Sequence, residues 1–244
     1  MNKVAAIVVA GGRGERCATS EELPKQLLIL GGQPVFIWSV KVFCQHPNVD
    51  EVVLVVLSNL LESFQKEVRK YLPDSLAKLK FVSGGSARQS SVLSGLEYLA
   101  KQASPPKFVL IHDAVRPFLD RDDLDRVITS LADDRGCTLA VPVTDTLKQV
   151  KNDLVTDTLD RRGLYCMQTP QGGAFSLLLA AHRKMASEGI ETTDDANVLE
   201  RAGIPVQVVI GSPRNFKITT AEDFHLAQAI ANSLKEKNGA RHYI

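Results

Sequence analysis

The chain has 244 residues, of which 44% are hydrophobic and 23% are charged, and its formal net charge is +1. This balance is typical of a globular protein; it disfavours a broad nucleic-acid-binding surface but is compatible with a local basic pocket for phosphate. The four cysteines and five histidines are not spaced as metal ligands or as a disulfide framework. No apolar run is long enough to cross a bilayer. We therefore expect a cytoplasmic protein, or a stromal one if a transit peptide has been removed, with no membrane or nucleic-acid partner.

Short apolar runs alternate with amphipathic stretches along the chain. The first run leads straight into a segment rich in glycine and arginine, which indicates a buried strand rather than a signal peptide. The predicted strands are Val4–Ala10, Val52–Leu57, Lys80–Val82, Phe108–His112, Thr138–Val143 and Val206–Ile210. Their nearly continuous Val, Ile and Leu content is typical of a parallel sheet covered on both faces. We predict a single doubly wound, mostly parallel α/β domain over residues 1–244.

Amphipathic patterns predict helices between these strands. One helical face carries Val35, Trp38, Val42 and Phe43, and another carries Val92, Leu93, Leu96 and Leu99. Ser86 followed by Gln89 is interpreted as a capping box that opens the second of these helices. Thr220 followed by Asp223 is interpreted as an acidic variant that opens the last helix.

Residues 144–168 break this alternation, because they are polar and rich in Thr, Asp, Lys and Arg. Two β-prone pieces, Lys148–Val150 and Leu154–Thr158, flank Asn152-Asp153, a pair that favours a hairpin turn. We interpret residues 144–168 as a β-arm that projects from the sheet and contacts a partner. A mobile surface loop is the alternative.

A glycine-rich run, Ala-Gly-Gly-Arg-Gly-Glu-Arg, extends from Ala10 to Arg16 directly after the first predicted strand. Glycine lets backbone amides approach phosphate oxygens without a side chain in the way. The run is not a dinucleotide fingerprint, since Cys17 replaces its third glycine, and it lacks the Gly-Lys-Ser/Thr of a Walker loop. Arg16 and Lys25 add two cations, and Pro24 stiffens the backbone before the lysine. These features favour a polyphosphate site over a tight turn with two solvated charges.

Two further groups of residues follow predicted strands. Asp113 and Arg116 come after Phe108–His112, at the edge where open α/β sheets bind ligands. Asp113 suits a ribose hydroxyl or a metal ion and Arg116 suits an acidic substrate, although a local ion pair is a serious alternative. The small residues 84–91 open a helix whose free amides suit a base edge, but helix capping accounts for Ser86 equally well.

Arg161 and Lys217 are candidates to bind a second phosphate, that of an acceptor. Taken singly, each is more often a solvated surface charge.

Together these motifs resemble the 2-C-methyl-D-erythritol 4-phosphate cytidylyltransferase family of the non-mevalonate isoprenoid pathway. The resemblance is carried, almost end to end, by the glycine loop to Arg16, Pro24-Lys25-Gln26, Gly84-Gly85 with Arg88 and Ser91, His112-Asp113-Ala114, Arg116-Pro117, Pro142-Val143-x-Asp145-Thr146-x-Lys148, Arg161, Gln168-Thr169-Pro170-Gln171, Thr193-Asp194 and Asn215-x-Lys217-Ile218-Thr219. It implies a Rossmann-like nucleotidyltransferase that joins CTP to the sugar-alcohol phosphate and releases pyrophosphate. It also implies Mg²⁺ bound mainly through the CTP phosphates, without a dedicated protein metal site, and a homodimer formed through the 144–168 arm.

The resemblance further implies roles for individual residues. Arg16 and Lys25 match the catalytic cations. The nucleotide-binding positions are Ala10, Gly11, Gly12, Gly14, Gly85, Ser86, Ser91, Asp113 and Ala114. The acceptor-binding positions are Arg116, Thr146, Arg161, Thr169 and Lys217, with Thr146 and Arg161 supplied by the neighbouring arm. Gly11 stands where the family often has alanine and Ser86 where it often has aspartate, which weakens the expectation of strict cytosine selectivity.

Three alternatives remain open at this point. A ribitol-5-phosphate cytidylyltransferase shares the glycine loop, but residues 145–148 and 160–161 resemble the methylerythritol enzyme more closely. An RNA-binding module is suggested by the G-x-x-G spacing of Gly11–Gly14, yet that loop joins helices in KH domains, whereas here a strand precedes it. A non-catalytic sugar-phosphate sensor is disfavoured because Arg16 and Lys25 are both present.

Overall fold

The computed structural model of the protein describes residues 3–11 and 24–240. Within these residues the strands are β1 (Val4–Val9), β2 (Ile29–Leu30), β3 (Gln33–Pro34), β4 (Glu51–Val56), β5 (Leu79–Ser83), β6 (Phe108–Asp113), β7 (Gly136–Pro142), β8 (Leu147–Lys151), β9 (Leu154–Leu159), β10 (Tyr165–Ala174) and β11 (Val206–Ile210). The α-helices are α1 (Val35–Gln45), α2 (Leu61–Tyr71), α3 (Arg88–Ala100), α4 (Arg121–Ser130), α5 (Phe175–Ser187), α6 (Asp195–Arg201) and α7 (Ala221–Ala240). No helix in this part of the chain has the length and apolar character needed to span a bilayer.

In the described part of the chain, seven strands form the central sheet in the order β11-β7-β10-β6-β1-β4-β5. The pairs β1–β4, β1–β6, β4–β5 and β7–β11 are parallel, whereas β10 runs antiparallel to both of its neighbours, β6 and β7. The predicted doubly wound, mostly parallel α/β fold is therefore confirmed, with one antiparallel strand inserted near its middle.

The alternating side chains of β1 point into two separate cores. On one face Ala6 and Val8 pack in a cluster with Phe36 of α1, Phe64 of α2 and Leu124 of α4. On the other face the cluster contains Ala5, Ile7 and Val9 with Leu96 of α3, Leu178 of α5 and Val198 of α6. Because β1 is covered on both sides, its sequence is almost wholly apolar. Its carboxyl end is thereby fixed in the middle of the molecule.

A smaller third cluster supports the loop that follows β6. It combines Val115 and Phe118 of that loop with Ile218 and with Ala227 and Ala231 of α7. The Ile218 amide donates to the Val115 carbonyl at 2.9 Å. This contact holds the segment around Lys217 against the end of β6.

All six predicted strands are present, but β10 was not predicted. This strand contains Pro170, Gly172 and Gly173, so it lacks the Val/Ile pattern that identifies the others. The glycine at 172 is required by packing: a Cβ there would lie 2.6 Å from the Leu110 side chain and 2.6 Å from the Val109 carbonyl oxygen. Gly172 thus lowers the β propensity of this strand and also allows it to pack beside β6.

The two predicted helix caps have different outcomes. The cap assigned to Ser86 is wrong, because α3 begins at Arg88 and the Ser90 hydroxyl accepts from the Ala87 amide at 3.0 Å. The box at the start of α7 is confirmed: the Thr220 amide donates to Asp223 Oδ2 at 2.9 Å, and the Asp223 amide donates to Thr220 Oγ1 at 3.2 Å.

The predicted hairpin turn within residues 144–168 is also present. β8 and β9 pair antiparallel, and Asn152 and Asp153 between them adopt φ angles of 50° and 62°, as a tight two-residue hairpin requires. Every residue of β9 is exposed. The end of the predicted segment differs from the expectation, because residues 165–168 belong to β10 and its first three residues pair with β7 in the main sheet.

Candidate active site

The carboxyl ends of the parallel strands β1, β4, β5 and β6 form one edge of the sheet, and backbone hydrogen bonds fix the loops that leave β1, β5 and β6. The Ala10 amide donates to the Val55 carbonyl at 2.8 Å, and the Ala114 amide donates to the Val9 carbonyl at 3.0 Å. The Gly84 amide donates to the Val56 carbonyl at 2.7 Å. Three candidate loops from distant parts of the sequence therefore meet at the edge where open α/β sheets bind ligands.

Gly11 and Gly84 lie close to Ser91, in the first turn of α3. A Cβ at Gly11 would be 3.1 Å from Ser91 Oγ, and one at Gly84 would be 2.8 Å from the same atom. Ser91 is buried and its hydroxyl donates to the Ala87 carbonyl at 2.9 Å. Gly85 follows Gly84, whereas Ser86 is exposed. This part of the edge is lined by backbone and small side chains, which suits close approach by a flat ligand.

Asp113, the last residue of β6, is the centre of a cluster of cations. Its Oδ1 accepts from Arg88 Nε at 2.9 Å, while its Oδ2 lies 3.0 Å from Lys217 Nζ and 3.6 Å from Arg116 Nε. Burial alone would raise the pKa of Asp113, but the charges of Arg88, Lys217 and Arg116 outweigh it and hold that pKa well below its ordinary range. Asp113 is thus an anion, and the cluster retains net positive charge for a phosphate.

Thr169 of β10 ties this cluster to the neighbouring strand. Its hydroxyl accepts from the Asp113 amide at 3.1 Å and lies 2.9 Å from His112 Nδ1, and its carbonyl accepts from Asn215 Nδ2 at 2.8 Å. Burial lowers the pKa of His112 to about 4, so the ring is neutral near pH 7. The remaining ring nitrogen, Nε2, lies 3.2 Å from the Arg116 carbonyl oxygen. A neutral ring with its proton on Nε2 satisfies both contacts.

Lys25 lies beside the same segment as Lys217. It begins a short 3₁₀ turn after Pro24, and its Nζ donates to the Thr219 carbonyl at 3.4 Å. The Thr219 hydroxyl in turn donates to Asp223 Oδ2 at 2.6 Å. The predicted catalytic lysine is thereby placed next to the predicted acceptor-binding segment.

The structure brings together most, but not all, of the predicted site residues. Those at the common edge are Ala10, Gly11, Gly85, Ser91, Asp113, Ala114, Arg116, Thr169, Lys217 and Lys25. Gly12, Gly14 and Arg16 lie outside the described residues. Thr146 and Arg161 are exposed in the 144–168 segment, and the Arg161 guanidinium donates to the Thr144 carbonyl there. Within the described part of one chain, neither of these two contacts the Asp113 cluster.

Sequence reasoning gave no role to a second buried carboxylate behind the cluster. Asp195 Oδ2 lies 2.7 Å from Arg88 Nη2, and Asp195 Oδ1 lies 3.1 Å from His182 Nε2. Asp195 directly follows the Thr193-Asp194 motif, and Arg88 was part of the motif that begins at Gly84-Gly85. His182 lies in α5, an ordinary amphipathic helix, and no sequence motif indicated a role for it.

Comparison with known proteins connects this geometry to a family. The model of the IspD family, described as 2-C-methyl-D-erythritol 4-phosphate cytidylyltransferase, matches residues 4–233. The chain belongs to this family. A curated IspD relative from Geobacter metallireducens, named "2-C-methyl-D-erythritol 4-phosphate cytidylyltransferase", is 38% identical and covers 96% of this chain and 98% of its own length.

Other relatives of IspD type are longer. A protein of Rhizobium rhizogenes named "Bifunctional enzyme IspD/IspF" is 42% identical over 92% of this chain but only 55% of its own length. The chain therefore spans about half the length of the bifunctional relatives that it matches.

Solved IspD structures share the fold. The 4-diphosphocytidyl-2C-methyl-D-erythritol synthase of Anaerococcus prevotii superposes with a TM-score of 0.79 at 26% identity, covering 95% of this chain and 96% of that one. The Thermus thermophilus 2-C-methyl-D-erythritol 4-phosphate cytidylyltransferase gives a TM-score of 0.74 at 28% identity, with coverages of 93% and 98%. The central sheet with helices on both faces is thus that of the IspD enzymes.

Proposed function

We propose that the protein is a cytidylyltransferase that joins CTP and 2-C-methyl-D-erythritol 4-phosphate to give 4-diphosphocytidyl-2-C-methyl-D-erythritol and pyrophosphate. The observation that carries the proposal is the convergence of three cations on Asp113, beside a glycine-lined sheet edge, in a chain of the IspD family. The expected compartment is the cytoplasm.

The reaction is an in-line displacement at the α-phosphorus of CTP. An oxygen of the acceptor phosphate forms the new P–O bond, the bond to the β-phosphate bridging oxygen breaks, and pyrophosphate leaves with that electron pair. The acceptor is already anionic near neutral pH, so no strong base is required. The main obstacle is the repulsion between two anions, which positioned cations offset.

The residues divide between the two substrates. We assign the acceptor phosphate to Arg116, Thr169 and Lys217. We assign the nucleotide to Ala10, Gly11, Gly85, Ser86, Ser91, Asp113 and Ala114, together with Gly12 and Gly14, which lie outside the described residues. Arg16 and Lys25 stabilise the charge that develops on the triphosphate. The contact of Lys25 Nζ with the Thr219 carbonyl at 3.4 Å supports this arrangement, because Thr219 is two residues from Lys217.

Mg²⁺ is the expected metal, and it would enter bound to the triphosphate. No group of three acidic, histidine or cysteine side chains that could cage a metal occurs among residues 3–11 and 24–240. Asp113, the acidic group at the edge, already has both oxygens engaged by cations. These features fit a metal held mainly by phosphate oxygens, where it would neutralise part of their charge.

We further propose that the 144–168 arm forms a homodimer in which Thr146 and Arg161 of each arm reach the acceptor site of the other subunit. Two features support this: both residues are exposed in the single chain, and the hairpin exposes apolar side chains, with Val150 60%, Leu154 71% and Val155 63% accessible. Apolar exposure of this kind on a short hairpin is typical of an interface.

The proposal is tested by measuring pyrophosphate release from CTP with each candidate acceptor. We expect turnover with 2-C-methyl-D-erythritol 4-phosphate and much weaker turnover with ribitol 5-phosphate. Lys25→Ala should lower kcat about a hundredfold, roughly 3 kcal/mol of barrier. Lys107→Ala is the matched control, since Lys107 pairs with Asp133 and lies next to the opposite end of β6. Near-wild-type turnover of Lys25→Ala would remove the catalytic assignment.

A further inference from the structure

Arg88 joins two carboxylates that lie on different parts of the fold. It is the first residue of α3, and its Nε donates to Asp113 Oδ1 at 2.9 Å while its Nη2 donates to Asp195 Oδ2 at 2.7 Å. Because the two contacts use two different nitrogens of a planar guanidinium, they fix both the position and the plane of the group. A lysine ammonium at this position has one nitrogen, and no plane, with which to hold the two carboxylates.

Asp195 is a firm anchor for Arg88. It is the first residue of α6, its side chain is 1% exposed, and His182 Nε2 lies 3.1 Å from its Oδ1. Burial would raise the pKa of Asp195, but the charge of Arg88 and the contact with His182 outweigh it and lower that pKa. A buried carboxylate that remains ionised holds its cationic partner strongly, since leaving it unpaired would be costly.

Arg88 in turn determines how Asp113 faces the substrate site. With Oδ1 held by Arg88, the other oxygen of Asp113 is directed to Lys217 at 3.0 Å and Arg116 at 3.6 Å. Lys217 is 39% exposed and is therefore accessible to a ligand. Arg88 neutralises part of the Asp113 carboxylate charge. The attraction between Asp113 and Lys217 is therefore weaker when Arg88 is in place.

We propose that Arg88, anchored by Asp195, is a positioning residue that orients Asp113 and so leaves Lys217 and Arg116 available to the acceptor phosphate. This inference rests on the proposed function, since it takes those two cations to be the acceptor site. Without the grip of Arg88, the Asp113 carboxylate turns toward Lys217 and competes with the incoming phosphate for its charge. The acceptor, more than CTP, then binds less well.

The test is two-substrate steady-state kinetics on Arg88→Lys and Asp195→Asn. Arg88→Lys keeps the charge but not the contact through two nitrogens. It should raise the KM for the acceptor about tenfold, while the KM for CTP and kcat change less than about threefold. Asp195→Asn, which loosens the anchor only, should raise the acceptor KM about threefold. The matched control is Arg183→Lys on α5, whose bidentate partner Glu97 is at the surface; it should leave all three parameters unchanged.

The outcomes separate this inference from the proposed function. Wild-type protein that releases no pyrophosphate from CTP and either acceptor overturns the proposed function, and the positioning role with it. If the wild type is active, the inference alone fails when both variants lose thermal stability but keep the wild-type acceptor KM. It also fails if only kcat falls, because a purely structural role would reduce the amount of active enzyme without selecting one substrate.

Discussion

Ion pairs at the sheet edge and ion pairs on the arm have the same chemistry in opposite surroundings. At the edge, Arg88 binds Asp113 and Asp195, whose side chains are 8% and 1% exposed. On the arm, Arg162 binds Asp160 at 2.6 Å with side chains that are 90% and 58% exposed. Water screens the second pair and leaves it with little energetic value, whereas removing one member of a buried pair is costly. Buried ion pairs therefore fix the sheet edge within one chain, whereas the exposed pair does little to fix the arm.

The largest effect is expected from removing the carboxylate that the ion pairs at the sheet edge share. Asp113→Ala leaves Arg88, Arg116 and Lys217 without their shared counter-charge, and should lower the free energy of unfolding by about 3–5 kcal/mol. Asp160→Ala on the arm is the control and should give a urea unfolding curve that superimposes on the wild type. Equal losses in the two variants would show that burial does not separate the two regions.

Acidification should lower the free energy of unfolding through the protonation of His112. The pKa of this buried ring is lowered to about 4, against about 6.5 in an unfolded chain. Between these values the unfolded chain binds a proton that the folded chain does not, so the free energy of unfolding falls as the pH drops. The loss should be on the order of 3 kcal/mol by pH 4.

The control for this pH dependence is His112→Gln, which keeps an amide near Thr169 and Arg116 but does not titrate. Urea unfolding at several pH values between 7 and 4 should show a shallower decline for the variant than for the wild type. Below about pH 4 both proteins should lose further stability, because the pKa of Asp113 is lowered in the folded state. Its stabilising contribution is complete above the unfolded pKa and is lost as the pH falls toward the folded pKa. Parallel declines between pH 7 and 4 would contradict the role given to His112.

A smaller effect is expected from charging the arm. Val155→Asp places a carboxylate on a side chain that is 63% exposed in the single chain, so monomer stability should hardly change. If the arm forms the dimer, the dimer dissociation constant should rise about tenfold or more. Sedimentation at several concentrations measures it, with Thr156→Asp on the other face of the same strand as control. A wild type that sediments as a monomer would rule out the arm-mediated dimer.

The smallest expected effect concerns Gly11. A methyl group at this position would lie 3.1 Å from Ser91 Oγ, a distance that a small rotation of one hydroxyl relieves. Gly11→Ala should therefore cost less than about 1 kcal/mol and change the KM for CTP about twofold at most. Gly84→Ala, where the methyl would also meet Val55 Cγ1 at 3.0 Å, should cost more, about 1–3 kcal/mol. Thermal unfolding compares the two variants directly. A larger loss of stability in Gly11→Ala than in Gly84→Ala would show that the Ser91 hydroxyl cannot rotate out of the way.

Much of the fold was predictable because buried parallel strands have a strong apolar signal. The strands β1, β4 and β6 each carry a run of apolar residues, and all three were located from the sequence. The strand β10 was not located, since its fit beside β6 depends on glycines that lower its β propensity. The hairpin turn was located because Asn-Asp tolerates positive φ.

The candidate site was predictable where chemistry follows a strand, as at Asp113 and Arg116. The pairing of Arg88 with Asp195 was not, because only the packing of α5 against both α3 and α6 brings these two residues together. His182 illustrates the same limit: its burial beside Asp195 depends on tertiary structure, and its neighbours in sequence are those of an ordinary helix. Sequence patterns identify side chains with a chemical use more readily than the buried groups that hold them in place.

The antiparallel strand β10 also has a consequence for the order of folding. The β8–β9 hairpin joins near neighbours through a two-residue turn, and such hairpins form within microseconds. By contrast, Ile111 can pair with Gln171 only after the chain between them has closed into a long loop. Pairing between residues so distant in sequence slows folding. Since Thr169 lies on this strand, the candidate site cannot be complete until β10 has paired with β6. During refolding, far-ultraviolet circular dichroism should therefore recover before the ability to bind CTP.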